Sequence, residues 1–96
     1  MATTAQDLLG AAGDHLAARG KTYDDEAGER SMGRAVAALN AVKGGTVLTE
    51  SDGWLLLDLL KIVRQESAPG FHLDSAEDHV AYAALYGECK AREFTK

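Results

Sequence analysis

The chain has 96 residues, 46% of them hydrophobic and 26% charged, with 10 Lys and Arg against 15 Asp and Glu for a formal net charge of −5. That length predicts a single helical domain over residues 1–96, with its core over about 5–92. The composition excludes a disordered chain, and no apolar run approaches the ~20 residues of a membrane span. One cysteine excludes an internal disulfide framework and a cysteine-based zinc site. The acidic balance argues against direct nucleic-acid binding.

The first residues, Met-Ala-Thr-Thr-Ala-Gln-Asp, form neither a secretory signal nor an Arg-rich transit peptide, so a cytoplasmic location is expected. The period then predicts a first helix from about Ala5 to Arg19, with Ala5, Leu8, Leu9, Ala12 and Leu16 on one stripe. Thr4 is placed to cap it, Asp7 suits its first turn, and Gly20 is placed to stop it. Gly10 and Gly13 leave room for the close approach of a neighbouring helix. A polar stretch, Lys21 to Glu29, leads into a second helix from near Glu29 to Lys43, in which Met32, Ala35, Val36, Leu39 and Val42 repeat at three and four. Gly44-Gly45 ends it. Only Thr46-Val47-Leu48 could pair briefly as a strand.

Thr49 and Asp52 open a third helix in capping fashion. It is apolar on most faces from Trp54 to Val63, as the central helix of a bundle would be, and it stops at Ala68-Pro69-Gly70. A fourth helix is expected from Asp74 or Ser75 to about Arg92, carrying Val80, Ala83, Ala84, Leu85 and Tyr86. The fold class is therefore all-α, a compact bundle of about four helices with short loops. The leucine-rich third helix leaves an apolar strip that a homodimer would cover.

Few residue clusters carry chemistry. Asp74 and Asp78, four apart, share one helix face and could hold a divalent cation through hard oxygen ligands, although Asp74, Ser75 and Glu77 also suit the start of a helix. Asp58 interrupts the leucine run on the stripe of Trp54, Lys61 and Gln65. Lys61 and Arg64 then form either the polar edge of that helix, with an Asp58–Lys61 pair, or a small cationic patch for a phosphate or an acidic partner. Lys21, Tyr23, Asp24 and Arg30 sit in the loop before the second helix, where backbone amides and basic groups could receive an anion or a partner. His15, His72 and His79 lack metal spacing, Cys89 lacks an activating neighbour, and no hydrolase triad is present. Trp54 is expected to anchor the core.

The run Lys21-Thr22-Tyr23-Asp24, then Glu29-Arg30-Ser31-Met32 and Ala35-Val36-Ala37-Ala38-Leu39-Asn40, continues in Leu48-Thr49-Glu50, Gly53-Trp54 and Leu59-Leu60-Lys61 with Arg64. It closes in Asp74-Ser75, Glu77-Asp78, Ala81-Tyr82-Ala83-Ala84-Leu85 and Gly87-Glu88. Together these resemble, over about Leu9 to Glu88, a phage- and prophage-encoded family of unknown function. The resemblance implies a small helical accessory protein in the cytoplasm of an infected bacterium. More distantly, the last helices are similar to MazG-like nucleotide pyrophosphatases, which bind magnesium through paired acidic motifs on two helices. Asp74 and Asp78 match only the second of those motifs, and one motif cannot supply a metal cluster for pyrophosphate cleavage.

The expectation is thus a binding protein rather than an enzyme: a stoichiometric inhibitor or modulator of a host protein complex, such as a CRISPR defence system, without a cofactor. The alternative is a MazG-like protein that binds a nucleotide, as a sponge or a weak magnesium-dependent pyrophosphatase.

Overall fold

The structure, a computed structural model, describes the backbone of residues 3–25, 28–29 and 31–95, and their side chains outside 20–30. The described residues form four helices: α1 (Ala5–Tyr23), α2 (Ser31–Lys43), α3 (Glu50–Ser67) and α4 (Leu73–Phe94). The all-α bundle with short connections is the architecture the apolar period implies. Two two-residue strands, β1 (Asp24–Asp25) and β2 (Gly28–Glu29), pair antiparallel between α1 and α2, with Asp24 opposite Glu29. The segment Thr46–Leu48, expected to be the only strand-forming stretch, is not a strand.

Helix starts follow local chemistry. The Asp7 amide donates to Thr4 Oγ1 at 3.1 Å while the Thr4 amide donates to an Asp7 carboxylate oxygen at 3.0 Å. Thr49 and Asp52 make the same reciprocal pair at the start of α3, and the Thr49 amide holds the Asp52 carboxyl below its ordinary pKa. α4 departs from expectation. Its cap is His72, whose Nδ1 accepts from the Ser75 amide, so the helix begins at Leu73 and Ser75 is buried inside it. α1 does not stop at Gly20 but runs on to Tyr23. Gly44, at φ +82°, ends α2 in the left-handed conformation that glycine adopts without strain.

Two side-chain amides fix the loops. Asn40 donates to the Leu48 carbonyl at 2.8 Å and accepts from the Val47 and Leu48 amides, folding residues 44–49 back along α2. Gln65 donates to the Gly70 carbonyl and accepts from the His72 amide, both at 2.9 Å, which sets the turn from α3 to α4. Each amide satisfies backbone groups that a loop would otherwise leave to water.

The principal packing runs α2 on α3, α3 on α4 and α4 on α1. The core gathers around Trp54, which is 1% exposed, with Leu85 and Cys89 beside it. Leu16 of α1, Met32 of α2, Leu57 of α3 and Tyr82 and Tyr86 of α4 pack against that cluster. The Trp54 and Tyr82 rings lie 5.7 Å apart, and the Arg19 guanidinium stands 5.7 Å from the Trp54 ring centroid. The expectation that Trp54 anchors the core is met. On α4 the inward residues are Ser75, Ala81, Leu85 and Cys89, whereas Ala83 and Ala84 face solvent. Among the described residues, a methyl group added at Gly10 or Gly13 would meet nothing within 4 Å, so these show no close helix approach there.

The close approach is at Gly53. A Cβ there would meet the Met32 side chain at Sδ and, at 2.8 Å, at Cγ, and Val36 Cγ2 at 3.1 Å. This absent methyl lets α2 lie on the first turns of α3. Gly53→Ala should therefore lower stability by about 1–3 kcal/mol despite its gain in helix propensity. In a Met32→Ala background the same change should cost much less, as measured by urea denaturation at fixed protein concentration.

Candidate functional site

The face that α3 turns toward α4 is polar along most of its length. Ser51, Trp54, Asp58, Lys61 and Gln65 recur at three and four residues, so one stripe carries them all. At the start of this seam the Ser51 hydroxyl donates to Glu93 at 3.0 Å and the Ser51 amide to its other oxygen at 3.2 Å. A carboxylate from the end of α4 thus closes the positive end of α3. Beside it, Glu50 accepts from the Arg92 guanidinium at 2.9 Å and from the Cys89 thiol at 3.4 Å. Burial, and then the Glu50 carboxylate, push the Cys89 thiol up to about 11.

At the other end lies Lys61, only 8% exposed. Its ammonium is 2.7 Å from Asp78 and 3.9 Å from Asp74. The helical spacing that placed the two carboxylates on one face is observed, but the charge they face is this lysine. Among the described residues no group of three or more His, Cys, Asp or Glu could hold a metal ion. The Asp74–Asp78 pair expected to hold a cation faces the Lys61 ammonium. The Asp58–Lys61 pairing is corrected: Asp58 pairs with His79 of α4, and Lys61 reaches across to Asp78 instead. Consecutive residues of α4 therefore each take a different partner, because Glu77 binds His15 of α1 at 3.0 Å. That carboxylate raises the His15 pKa.

The proposed Lys61–Arg64 cationic patch does not form as one surface. Lys61 is buried in the seam, whereas Arg64, three residues on, is exposed. A cleft of about 340 Å³ opens beside Lys61 and His79, lined also by Ile62, Phe71 and Ser75. Lys21, Tyr23, Asp24 and Arg30 lie outside the residues whose side chains are described.

Sequence reasoning missed the inter-helix partners: Ser51 with Glu93, His15 with Glu77, and Asp58 with His79. The one signal for the Ser51 and Asp58 pairs is the periodic recurrence of polar residues in the otherwise apolar α3, and nothing in the sequence marks the His15–Glu77 pair.

The opposite face of α3 is apolar and open. Leu56 is 68% and Val63 58% exposed, with Leu59 and Leu60 between them also exposed. α3 is therefore not the enclosed central helix expected from its composition; among the described residues, α4 and α2 cover it on two sides.

No family model, curated protein or solved structure matches this chain.

Two measurements probe the seam. Lys61→Met leaves the Asp78 carboxylate half-buried without its cation and should cost about 2–4 kcal/mol in denaturant unfolding, while Lys61→Met/Asp78→Leu should regain most of that loss. Cys89 should react with iodoacetamide near pH 8 at least about 100-fold more slowly than a free thiol, because so little is thiolate and the sulfur is buried. Denaturation should restore the ordinary rate.

Proposed function

We propose that this chain is a small phage-encoded accessory protein that acts by binding, as a stoichiometric modulator of a host protein complex. One observation supports binding over catalysis. The titratable side chains of the α3–α4 seam are matched to one another, Lys61 with Asp78, Asp58 with His79 and Glu50 with Arg92, while large apolar side chains stand exposed. A reactive site needs at least one poised group free to meet substrate, and exposed apolar surface marks contact with a partner. The phage assignment rests on the resemblance over about Leu9 to Glu88. The contact residues proposed for the host complex are Lys21, Tyr23, Asp24, Arg30 and Arg64.

A second reading keeps nucleotide binding, favoured by the cleft beside Lys61 and His79. A nucleotide phosphate would compete with Asp78 for the lysine ammonium, and magnesium would enter only with the nucleotide.

The two readings separate in one pair of experiments. Tagged protein purified from a bacterial host lysate should carry a host complex at fixed stoichiometry in native mass spectrometry. Lys21→Glu/Arg30→Glu should lose that complex while keeping its helical circular dichroism. A rise in melting temperature with millimolar nucleotide, larger with magnesium, would decide for the second reading.

A further inference from the structure

We propose that the outer face of α3 is covered by the same face of a second copy of this chain, the two helices running antiparallel about a two-fold axis. The inference shares with the binding reading the premise that exposed apolar surface is contact surface, and it assigns this part of that surface to self-association.

Area is the first argument. The chain exposes 6627 Å², where a folded monomer of its mass exposes about 5,300 Å². Its radius of gyration is 14.7 Å, against about 12.5 Å for a compact domain of this length. The excess over the whole chain, about 1,300 Å², is more than the ~800 Å² that each partner contributes to a standard interface, and the outer face of α3 contributes four exposed apolar side chains to it.

The pattern of the face is the second. Leu56, Leu59, Leu60 and Val63 follow one another at three and four residues, an unbroken apolar ridge on the side of α3 away from Trp54 and Lys61. Its midpoint falls between Leu59 and Leu60. A two-fold axis there sets Leu56 of one copy against the partner's Val63, Leu59 against the partner's Leu59 and Leu60 against the partner's Leu60, the last two pairs astride the axis. Each ridge residue then meets another ridge residue, which a self-complementary interface requires.

Charge is the third. α3 begins with Glu50, already paired with Arg92, and Asp52, and carries both Arg64 and Glu66 in its last turns. Antiparallel pairing brings the Asp52 end of one copy toward the partner's Arg64 and sets the two helix dipoles in opposition. Parallel pairing would set Asp52 beside the partner's Asp52 and align the two helix dipoles.

The test uses the purified full chain. Sedimentation equilibrium from about 1 to 100 μM should give twice the chain mass, and the melting temperature should rise with protein concentration. Leu59→Glu and Leu59→Lys should each lose the double mass when alone. Mixed in equal amounts they should return to it, with helical circular dichroism restored if either variant alone had lost it. A wild-type chain of single mass with a concentration-independent melting temperature overturns the proposal. So do variants that keep the double mass, and a mixture that fails to recover it. A single-mass protein that still captures a host complex overturns the dimer and leaves the binding function standing. A dimer that captures none supports this interface and removes that function.

Discussion

The rotation of α3 about its own axis is the constraint from which the rest of the molecule follows. That helix carries two incompatible faces, one with Ser51, Trp54, Asp58 and Lys61 and one with Leu56, Leu59, Leu60 and Val63. Only one of them can meet α4. The polar face does, because α4 offers each of its groups a partner: Glu93 for Ser51, His79 for Asp58 and Asp78 for Lys61. Buried charges without such partners would cost several kcal/mol each, so the match must hold along the whole seam or fail. Trp54, in the middle of the same stripe, adds the apolar contact that charge pairs do not supply. The seam fixes register more than it adds net stability, since a sliding shift of one turn would part Asp58 from His79 and Lys61 from Asp78.

Turning the polar face inward leaves the leucines outside, which explains why a chain of ordinary hydrophobic content has so small a core. Among the described residues six apolar side chains are buried, two of them alanines and one a cysteine. Such a core gives little stability to a chain near the lower size limit of independent folding. The loop clamps at Asn40 and Gln65 and the reciprocal caps at Thr4 and Thr49 add local support, each satisfying backbone groups rather than burying area. The helices are thus individually well terminated and sparsely packed. In that arrangement the outer ridge of α3 is apolar surface that the described helices leave uncovered.

The caps of α1 and α3, the stop at Gly44 and the four helices were legible because each depends on residues within one turn of each other. Trp54 was legible as core because its size leaves few other places for it. The extension of α1 to Tyr23 was not, since glycine permits a helix end without imposing one. Nor was the orientation of α3. An apolar majority on a helix implies enclosure only when the polar minority has no partners, and those partners lie on α4, between 17 and 42 residues further along the chain. Periodicity registered that Asp58, Lys61 and Gln65 shared a stripe but assigned it to the solvent edge. The same blindness to distant partners hid the Lys61 ammonium that Asp78 and Asp74 meet from another helix.

Lys61 connects the fold to the functional question. An ammonium held between two carboxylates does what a bound cation would do: it neutralises Asp78 and draws Asp74 toward the same point. A divalent metal would have to displace a covalently tethered competitor whose local concentration never falls, and displacement would strand a buried ammonium. A phosphate faces a different barrier, because it would take the place of a carboxylate already 2.7 Å from the amine. Either ligand must therefore repay the breaking of an ion pair on which the α3–α4 register depends. Contact through surface that the seam leaves free demands no such exchange, and that asymmetry is the physical reason for the proposal of contact outside the seam.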